Sequence, residues 1–276
     1  MAFRHNTKIG QNFLTDRSVS AWMTERARLT PADRVLEIGP GTGTLTKSIL
    51  ASGCARVDAV ETDVRLKEYL EPIAASDNRL RLHWADAVKF DYSVLDETPT
   101  RVIANLPYHI TTPLLWKLLE SFAGSDMRYM LLMIQDEAAS RVAAGAGNRE
   151  SNPLSVTIAA AGQATVPRKV SRTAFYPSPR VDSAIAEITL HAGNSPHALL
   201  PRDAAWRKLL SGSFAMRRKT LVNNWAGAFG IKKDDCAGIL AAHSLGARSR
   251  PEELTLRDWL SLREDSKLTS CAKRRN

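Results

Sequence analysis

The segment from residue 34 to residue 43 reads Arg34-Val35-Leu36-Glu37-Ile38-Gly39-Pro40-Gly41-Thr42-Gly43. Its first half is the short apolar run of a buried strand, and its second half is a glycine turn. The residues that follow, Leu45 to Leu50, have the spacing of an amphipathic helix. A strand, a glycine turn and a helix in this order predict an α/β domain whose turn approaches a nucleotide-like ligand closely.

The pattern of this glycine turn narrows the choice of ligand. It reads Gly-x-Gly-x-Gly rather than the Gly-x-Gly-x-x-Gly of dinucleotide-binding proteins, and no Gly-Lys-Ser/Thr follows it. The acid before the turn, Glu37, would repel a pyrophosphate but suits a ligand that carries ammonium and sulfonium groups. The sequence therefore favours S-adenosylmethionine, with Gly39 and Gly41 beside it.

Polar side chains also end the next three strand-like runs. The second and third runs end at Glu61 and Asp86, and the fourth ends at Asn105. Glu61 lies about twenty residues beyond the glycines, where an acid in such folds accepts hydrogen bonds from ribose hydroxyls. Asp86 is placed to accept from an adenine amine. Because ligands bind outside the carboxyl ends of parallel strands, we expect these residues to share one site.

The segment Asn105-Leu106-Pro107-Tyr108 combines an amide, a rigid turn and an aromatic face. Pro107 has no N–H and a fixed φ, so a neighbouring carbonyl can be aimed outward. The Asn105 oxygen and a carbonyl near Leu106 or Pro107 would accept the two hydrogens of an exocyclic amine, while Tyr108 stacks on the ring. The segment predicts a site that holds a planar base.

Composition excludes several other classes of protein. The three cysteines, Cys54, Cys236 and Cys271, are far apart and lack metal-ligand spacing, which predicts a reducing compartment and no metal site. No apolar run has the length of a membrane span, and residues 1–5 lack the apolar core of a secretory signal. We therefore expect a cytoplasmic protein without membrane contact.

Charge is concentrated in the last third of the chain. Residues 191–276 hold 16 basic and 8 acidic residues, against 22 and 21 in residues 1–190. The segment 191–197 is linker-like, and the sequence beyond it is rich in helical patterns, with Trp206, Trp225 and Trp259 at core spacing. These features predict a catalytic domain over 1–190 and a basic helical domain over 191–276 that meets a polyanion.

In their order and combination, the motifs resemble the ribosomal RNA adenine dimethyltransferase family. The likeness covers nearly all of residues 8–262 and rests on Lys8-Ile9-Gly10-Gln11-Asn12-Phe13-Leu14, the glycine turn, Glu61-Thr62-Asp63, Asn105-Leu106-Pro107-Tyr108, Phe175-Tyr176-Pro177-Ser178-Pro179-Arg180-Val181-Asp182-Ser183 and Arg217-Arg218-Lys219-Thr220. Two places depart from the family pattern. Ser151-Asn152-Pro153 leaves the shape of its loop open, and Ala215 with Met216 is less polar than the family pattern.

The resemblance implies a Rossmann-like S-adenosylmethionine-dependent methyltransferase domain followed by a smaller all-α domain. The implied substrate is small-subunit ribosomal RNA within a pre-ribosomal small subunit, and the implied state is a monomer. The implied catalytic residues are Asn105, Leu106, Pro107, Tyr108 and Phe175. The implied cofactor-binding residues are Asn12, Leu14, Gly39, Gly41, Glu61, Asp86 and Asn105. A basic helical segment around Arg217, Arg218 and Lys219 is expected to bind RNA.

Two other functions remain compatible with the sequence. One is a methylase of large-subunit ribosomal RNA, and the other is a non-catalytic RNA-binding assembly factor with the same fold. The basic segment around Arg217 favours the small-subunit enzyme. The presence of Glu61, Asp86 and Asn105 argues against a factor that has lost catalysis.

Overall fold

The computed structural model describes residues 12–268. Lys8 to Gln11, Cys271 and the basic tail Lys273–Arg275 lie outside the described residues. The chain forms two compact units. The first unit contains residues 1–140 and 165–193, and the second contains residues 141–164 and 194–276.

The strands of the described chain form one large sheet and one small sheet. A seven-stranded sheet has the order β4-β3-β2-β5-β6-β9-β7, and a two-stranded sheet pairs β1 with β8. The pairs among β2 to β6 are parallel, whereas β9 is antiparallel to β6. The strand bounds are β1 Phe13–Leu14, β2 Arg34–Ile38, β3 Arg56–Glu61, β4 Leu80–Trp84, β5 Arg101–Asn105, β6 Tyr129–Gln135, β7 Gly162–Val170, β8 Phe175–Tyr176 and β9 Ser183–Leu190.

The order of the strands creates a switch point at the centre of the large sheet. From β2 the chain moves outward to β3 and β4, and it then returns to add β5 and β6 on the other side of β2. A crevice opens at the carboxyl ends of the two strands where the winding direction reverses. Here those strands are β2, which runs into Gly39, and β5, which ends at Asn105. The sheet therefore brings the glycine turn and the Asn105 segment together.

Within residues 12–268, five α-helices belong wholly or mainly to the first unit. Apolar residues of the first three of these helices pack with the sheet in a core that includes Met23, Ile49 and Leu70, all fully buried. The helix α1 (Arg17–Ala27) begins after Asp16, whose side chain caps it by accepting from the Ser18 N–H. The bounds are α1 Arg17–Ala27, α2 Thr44–Ala51, α3 Lys67–Ser76, α4 Thr111–Ser121 and α5 Asp136–Ala143.

The second unit is helical, and its core is built around three tryptophans. Trp206, Trp225 and Trp259 are fully buried, as the sequence predicts. The Trp206 indole N–H donates to the Thr157 hydroxyl at 2.9 Å, which ties α6 (Pro153–Ala161) to α7 (Ala204–Ser213). The helix bounds are α6 Pro153–Ala161, α7 Ala204–Ser213, α8 Leu221–Phe229, α9 Lys233–Ala242 and α10 Leu256–Glu264.

The two units differ from the predicted division at residue 190. The chain passes from the first unit to the second after Gly193, close to the predicted boundary at residue 190. Residues 141–164, however, also lie in the second unit. The physical reason is that Val156 and Ala160 of α6 pack into the tryptophan core. No periodicity in the sequence distinguishes this helix from those of the first unit.

The departure at Ser151-Asn152-Pro153 forms a helix cap. The Asn152 side chain accepts from the Leu154 and Ser155 N–H groups, and the Ser155 hydroxyl accepts from the Asn152 N–H. Pro153 occupies the first helical turn, where a missing N–H costs nothing. This loop is therefore an ordinary start for α6.

The expectation that Arg217, Arg218 and Lys219 lie on a helix is wrong. They form a turn between α7 and α8. The helix α8 starts only at Leu221, because the Thr220 side chain caps it by accepting from the Asn223 N–H. Among residues 12–268, no helix is long and apolar enough to cross a membrane.

Candidate active site

The glycine turn after β2 forms the floor of the site. Gly39, Gly41 and Gly43 all have positive φ, the left-handed region that favours glycine. A Cβ on Gly41 would lie only 2.9 Å from the Phe13 ring, so the backbone at this position is closely covered by an aromatic side chain. A Cβ on Gly39 would lie 3.5 Å from the Asn105 carbonyl oxygen. The turn thus touches both β1 and the end of β5.

Glu61 anchors this turn from the end of the neighbouring strand β3. Its Oε2 accepts from the Gly41 N–H at 3.2 Å, and its Oε1 accepts from the Asp63 N–H at 2.9 Å. Burial raises the pKa of Glu61, whereas these backbone hydrogen bonds oppose the shift. A carboxylate has about four acceptor positions, so both oxygens can still accept from a ligand hydroxyl.

Asp86 is more exposed than Glu61 and lies beyond the end of β4. Its Oδ1 accepts from the Val88 N–H at 2.9 Å, which fixes the side chain in a turn. The other carboxylate oxygen lies 3.9 Å from the Lys89 ammonium group, a distance too long for a hydrogen bond. The second carboxylate oxygen of Asp86 can therefore accept a hydrogen bond from a ligand.

Glu37 does not take the place that the sequence suggested. Its side chain is fully buried on β2 and does not line the cavity. Burial raises its pKa to about 8, with the nearby Thr46 lowering it and Glu61 raising it further. Among residues 12–268, neither of its oxygens has a hydrogen-bond partner. Near neutral pH the group is mostly uncharged, so it offers little attraction to an ammonium group.

The Asn105 segment forms a wall of the site next to the glycine turn. The Asn105 Nδ2 donates to the Asn12 carbonyl at 3.4 Å, which leaves the side-chain oxygen as the acceptor for a ligand. The Leu106 N–H donates to the Met133 carbonyl of β6, so this turn is held by the sheet. The Pro107 carbonyl accepts from the Ile110 N–H at 3.2 Å. The sequence analysis named the carbonyls of Leu106 and Pro107 as possible acceptors for the amine. The turn bond uses the Pro107 carbonyl, so the Leu106 carbonyl is the better candidate.

Two aromatic side chains complete the wall. Tyr108 is half-buried, and its hydroxyl is 2.9 Å from the Ser183 hydroxyl. Burial raises the pKa of Tyr108, so its phenol stays neutral at physiological pH. Phe175 is buried in the strand β8, where it pairs with Leu14 of β1. The phenol and the phenyl ring are therefore held in fixed positions.

These residues surround one cavity of the first unit, with a volume of about 250 Å³. That is many times the roughly 10–15 Å³ that one water occupies by the same measure. Every residue that the sequence assigned to catalysis or to cofactor binding lines it: Asn12, Leu14, Gly39, Gly41, Glu61, Asp86, Asn105, Leu106, Pro107, Tyr108 and Phe175. The predicted RNA-binding residues Arg217, Arg218 and Lys219 belong to the second unit.

Sequence reasoning gave no role to two residues that shape the cavity. Phe13 covers the glycine turn, and Ser183 holds the Tyr108 hydroxyl. The available sequence signal for Phe13 was its place in the motif Lys8 to Leu14, directly before the predicted Leu14. Ser183 ends the motif that begins at Phe175, but its contact with Tyr108 joins residues 75 positions apart and has no local pattern.

Comparisons with known proteins agree with this geometry. The family model described as "Ribosomal RNA adenine dimethylase" matches residues 2–260. "Ribosomal RNA small subunit methyltransferase A" of Pseudomonas fluorescens is 37% identical, over 94% of this chain and 93% of that protein. The protein of the same description from Methylococcus capsulatus is 38% identical, over 92% and 95%.

Solved structures show the same fold. A dimethyladenosine transferase from Plasmodium falciparum has a TM-score of 0.77 and 25% identity, over 91% of this chain and 95% of that one. The 23S rRNA methyltransferase ErmE has a TM-score of 0.67 and 25% identity, over 92% and 98%. The fold and the cavity thus define a Rossmann-like methyltransferase with a helical second unit.

Within that class, the match across residues 2–260 is decisive. The chain belongs to the ribosomal RNA adenine dimethylase family. The predicted fold class and the predicted enzyme class are both confirmed.

Proposed function

We propose that this methyltransferase dimethylates the exocyclic amines of two adjacent adenosines near the 3′ end of small-subunit ribosomal RNA. It would act as a cytoplasmic monomer on an assembling small subunit, with S-adenosylmethionine as the methyl donor. The observation that carries the proposal is the place of Asn105. It lies at the sheet's switch point, between the glycine turn and Tyr108.

The cavity fits S-adenosylmethionine on three observations. The positive φ of Gly41 lets the backbone lie at the cavity surface. Glu61 and Asp86 offer carboxylate acceptors at successive strand ends, which suits a ribose and an adenine amine and disfavours a pyrophosphate. Asn12 and Leu14, the two neighbours of Phe13 in the chain, also line the cavity. When bound, this cofactor supplies a methyl group activated by a sulfonium.

The protein's task toward the adenosine is to place a weak nucleophile. An adenine amine is unreactive because its lone pair is delocalised into the ring. The Asn105 side-chain oxygen and the Leu106 carbonyl would accept its two hydrogens, which localises the lone pair and stabilises positive charge as it develops. Positioning of this kind is worth up to roughly 7–11 kcal/mol in favourable systems. Since the alkylated amine is acidic, no strong general base is required.

The target adenine must flip out of its base stack in the RNA to reach the Asn105 segment. Flipping costs a few kcal/mol and is easiest in a loop. Tyr108 and Phe175 would return about 1–3 kcal/mol each by stacking. The monomethylated amine must then fit again with one hydrogen fewer, and the neutral Asn105 amide tolerates the loss of one donor better than a carboxylate would.

The names of the relatives favour the small subunit as substrate. Eight curated relatives that cover 92–94% of this chain at 35–38% identity carry the small-subunit name. The 23S enzyme ErmE matches at 25% identity. The higher sequence identity to the small-subunit enzymes supports a small-subunit substrate over a large-subunit one.

The test is mass analysis of ribosomal RNA from cells with and without the chain, together with methyl transfer by the purified protein. Dimethyladenosine at two adjacent sites of small-subunit RNA, lost without the chain, is the expected result. Dimethyladenosine in large-subunit RNA would establish the alternative substrate. No transfer to any ribosomal RNA, with growth or assembly still affected, would identify a non-catalytic assembly factor.

Replacing Glu61 with alanine is expected to weaken S-adenosylmethionine binding by about 1.5–3 kcal/mol, the range for hydrogen bonds to a charged group. The loss has two sources, because Glu61 would hold the ribose and also holds the Gly41 N–H. Glu61→Gln keeps one acceptor oxygen and should lose less. Calorimetric titration measures both variants.

The matched control is Asp58→Asn. Asp58 is a buried acid on the same strand, paired with Arg56 and His83 outside the cavity. Its replacement should leave cofactor affinity unchanged. A folded Glu61→Ala protein with wild-type affinity would remove Glu61 from the cofactor site.

A further inference from the structure

The three consecutive cations of the second unit lie in a closed four-residue turn, Met216 to Lys219, which we call the basic turn. The Lys219 N–H donates to the Met216 carbonyl at 2.9 Å, as in a β-turn. Arg217 and Arg218 therefore occupy its two central positions. All four side chains are exposed, including the apolar Met216.

A single buried amide fixes both ends of the basic turn. Asn224, in the first turn of α8, is fully buried. Its Oδ1 accepts from the Met216 N–H at 2.9 Å, and its Nδ2 donates to the Met216 and Lys219 carbonyls at 3.3 and 3.4 Å. An asparagine amide has one acceptor and two donor hydrogens, and each of them is used here. Aspartate has the same size but could not donate.

The three cations of the turn differ in their contacts. The Arg217 guanidinium donates to the Arg149 carbonyl at 3.2 Å and lies 3.9 Å from the Glu150 carboxylate. This loop is itself held, since the Asn152 Nδ2 donates to the Arg141 and Glu150 carbonyls. Arg217 thus serves as a tether between two loops of the second unit.

Arg218 and Lys219 have no ion pair among residues 12–268. Their positive charge is therefore available to an external anion. RNA phosphates attract such cations, and each phosphate neutralised adds to the salt dependence of binding. A loop that is already ordered also loses less conformational entropy when it binds.

We propose that Asn224 is a positioning residue for RNA binding, which pre-forms the basic turn so that Arg218 and Lys219 meet RNA phosphates. Arg217 holds the turn against the Arg149 loop instead of making a phosphate contact of its own. This inference rests on the proposed function, because it requires that the second unit bind ribosomal RNA. The sequence analysis gave Arg217, Arg218 and Lys219 the same role. The inference instead gives Arg217 a structural role and the other two a role in binding phosphate.

The test measures the affinity of the full-length protein for a fluorescently labelled 3′ fragment of small-subunit ribosomal RNA over a series of salt concentrations. Arg218→Gln and Lys219→Gln should each lower the slope of log affinity against log salt by about 0.7–0.9, one phosphate contact. Arg217→Gln should weaken binding with a smaller change in slope.

Asn224→Ala should raise Kd about tenfold at every salt concentration, with the wild-type slope, because the phosphate contacts persist while the turn must be ordered on binding. Cofactor affinity in the first unit should not change. Asn223→Ala is the matched control, since Asn223 is the adjacent asparagine and, in the described part of the chain, its side chain bonds only to the Thr220 hydroxyl. If the alanine variant does not fold, Asn224→Ser, which keeps a buried hydroxyl, is measured in its place with the same expectation.

Each other outcome has a definite meaning. Wild-type RNA affinity in a folded Asn224 variant would overturn the inference, and so would a loss of slope equal to that of Arg218→Gln. An equal loss of cofactor affinity would show a general structural role and would also overturn it. If the wild-type protein binds neither the fragment nor an assembling small subunit, the proposed function fails rather than the role of Asn224.

Discussion

Asn105→Ala is expected to slow methyl transfer by about 10²–10³-fold, or roughly 2.7–4 kcal/mol, the effect of losing one hydrogen-bond partner of a transition state. The Asn105 oxygen would accept from the amine only as charge develops there, so its loss should appear in kcat. The Nδ2 contact to the Asn12 carbonyl is a single long bond of 3.4 Å, so cofactor affinity should change little.

The measurement is single-turnover transfer with labelled S-adenosylmethionine, alongside calorimetric titration of the cofactor. Asn78→Ala is the control, because Asn78 is an exposed asparagine of the first unit that does not line the cavity. Turnover near the wild-type rate in Asn105→Ala would mean that Tyr108 and Phe175 position the base sufficiently. The role given to the Asn105 oxygen would then be wrong.

Glu37→Gln is expected to stabilise the protein at alkaline pH by up to roughly 5 kcal/mol. The pKa of Glu37 rises from 4.5 to about 8 on burial in the folded state. Each unit of pKa shift corresponds to about 1.4 kcal/mol. A raised pKa means that the folded state binds more protons than the unfolded state, so stability falls as pH rises between these two values. Glutamine is neutral throughout and removes this loss.

Urea denaturation from pH 5 to pH 8.5 measures the difference between the variant and the wild type. The gain should be small at pH 5 and should grow until about pH 8, where it levels off. Glu68→Gln, at an exposed position on α3, should not reproduce the increase. A gain of the same size at pH 5 and pH 8.5 would show that Glu37 has an ordinary pKa in the folded protein.

The arrangement of the second unit also determines how the RNA-binding proposal can be tested. A truncation before residue 191 would remove the helices against which α6 packs, leaving Val156 and Ala160 exposed. Weaker RNA binding by such a fragment could then result from its instability rather than from the loss of RNA contacts. Single substitutions in the basic turn leave the tryptophan core intact and are the cleaner experiment.

Much of the molecule follows from local sequence. The β2 strand and its glycine turn, the strand ends at Glu61, Asp86 and Asn105, and the burial of the three tryptophans are all predictable. Strand and helix patterns depend on side chains a few residues apart, and a parallel sheet places the ends of its strands at one edge. The sequence therefore determined the fold class and the residues around one cavity.

Other features depend on contacts between residues far apart in the chain, so they could be seen only once the chain was folded. Glu37 became a buried neutral acid because of what packs around β2. The helix α6 belongs to the second unit because Val156 and Ala160 pack into the tryptophan core. The basic turn is not helical because Thr220 caps α8 and Asn224 holds the preceding backbone. Burial and hydrogen-bond partners are set by the surrounding fold, so the charge and shape of these groups are tertiary properties rather than local ones.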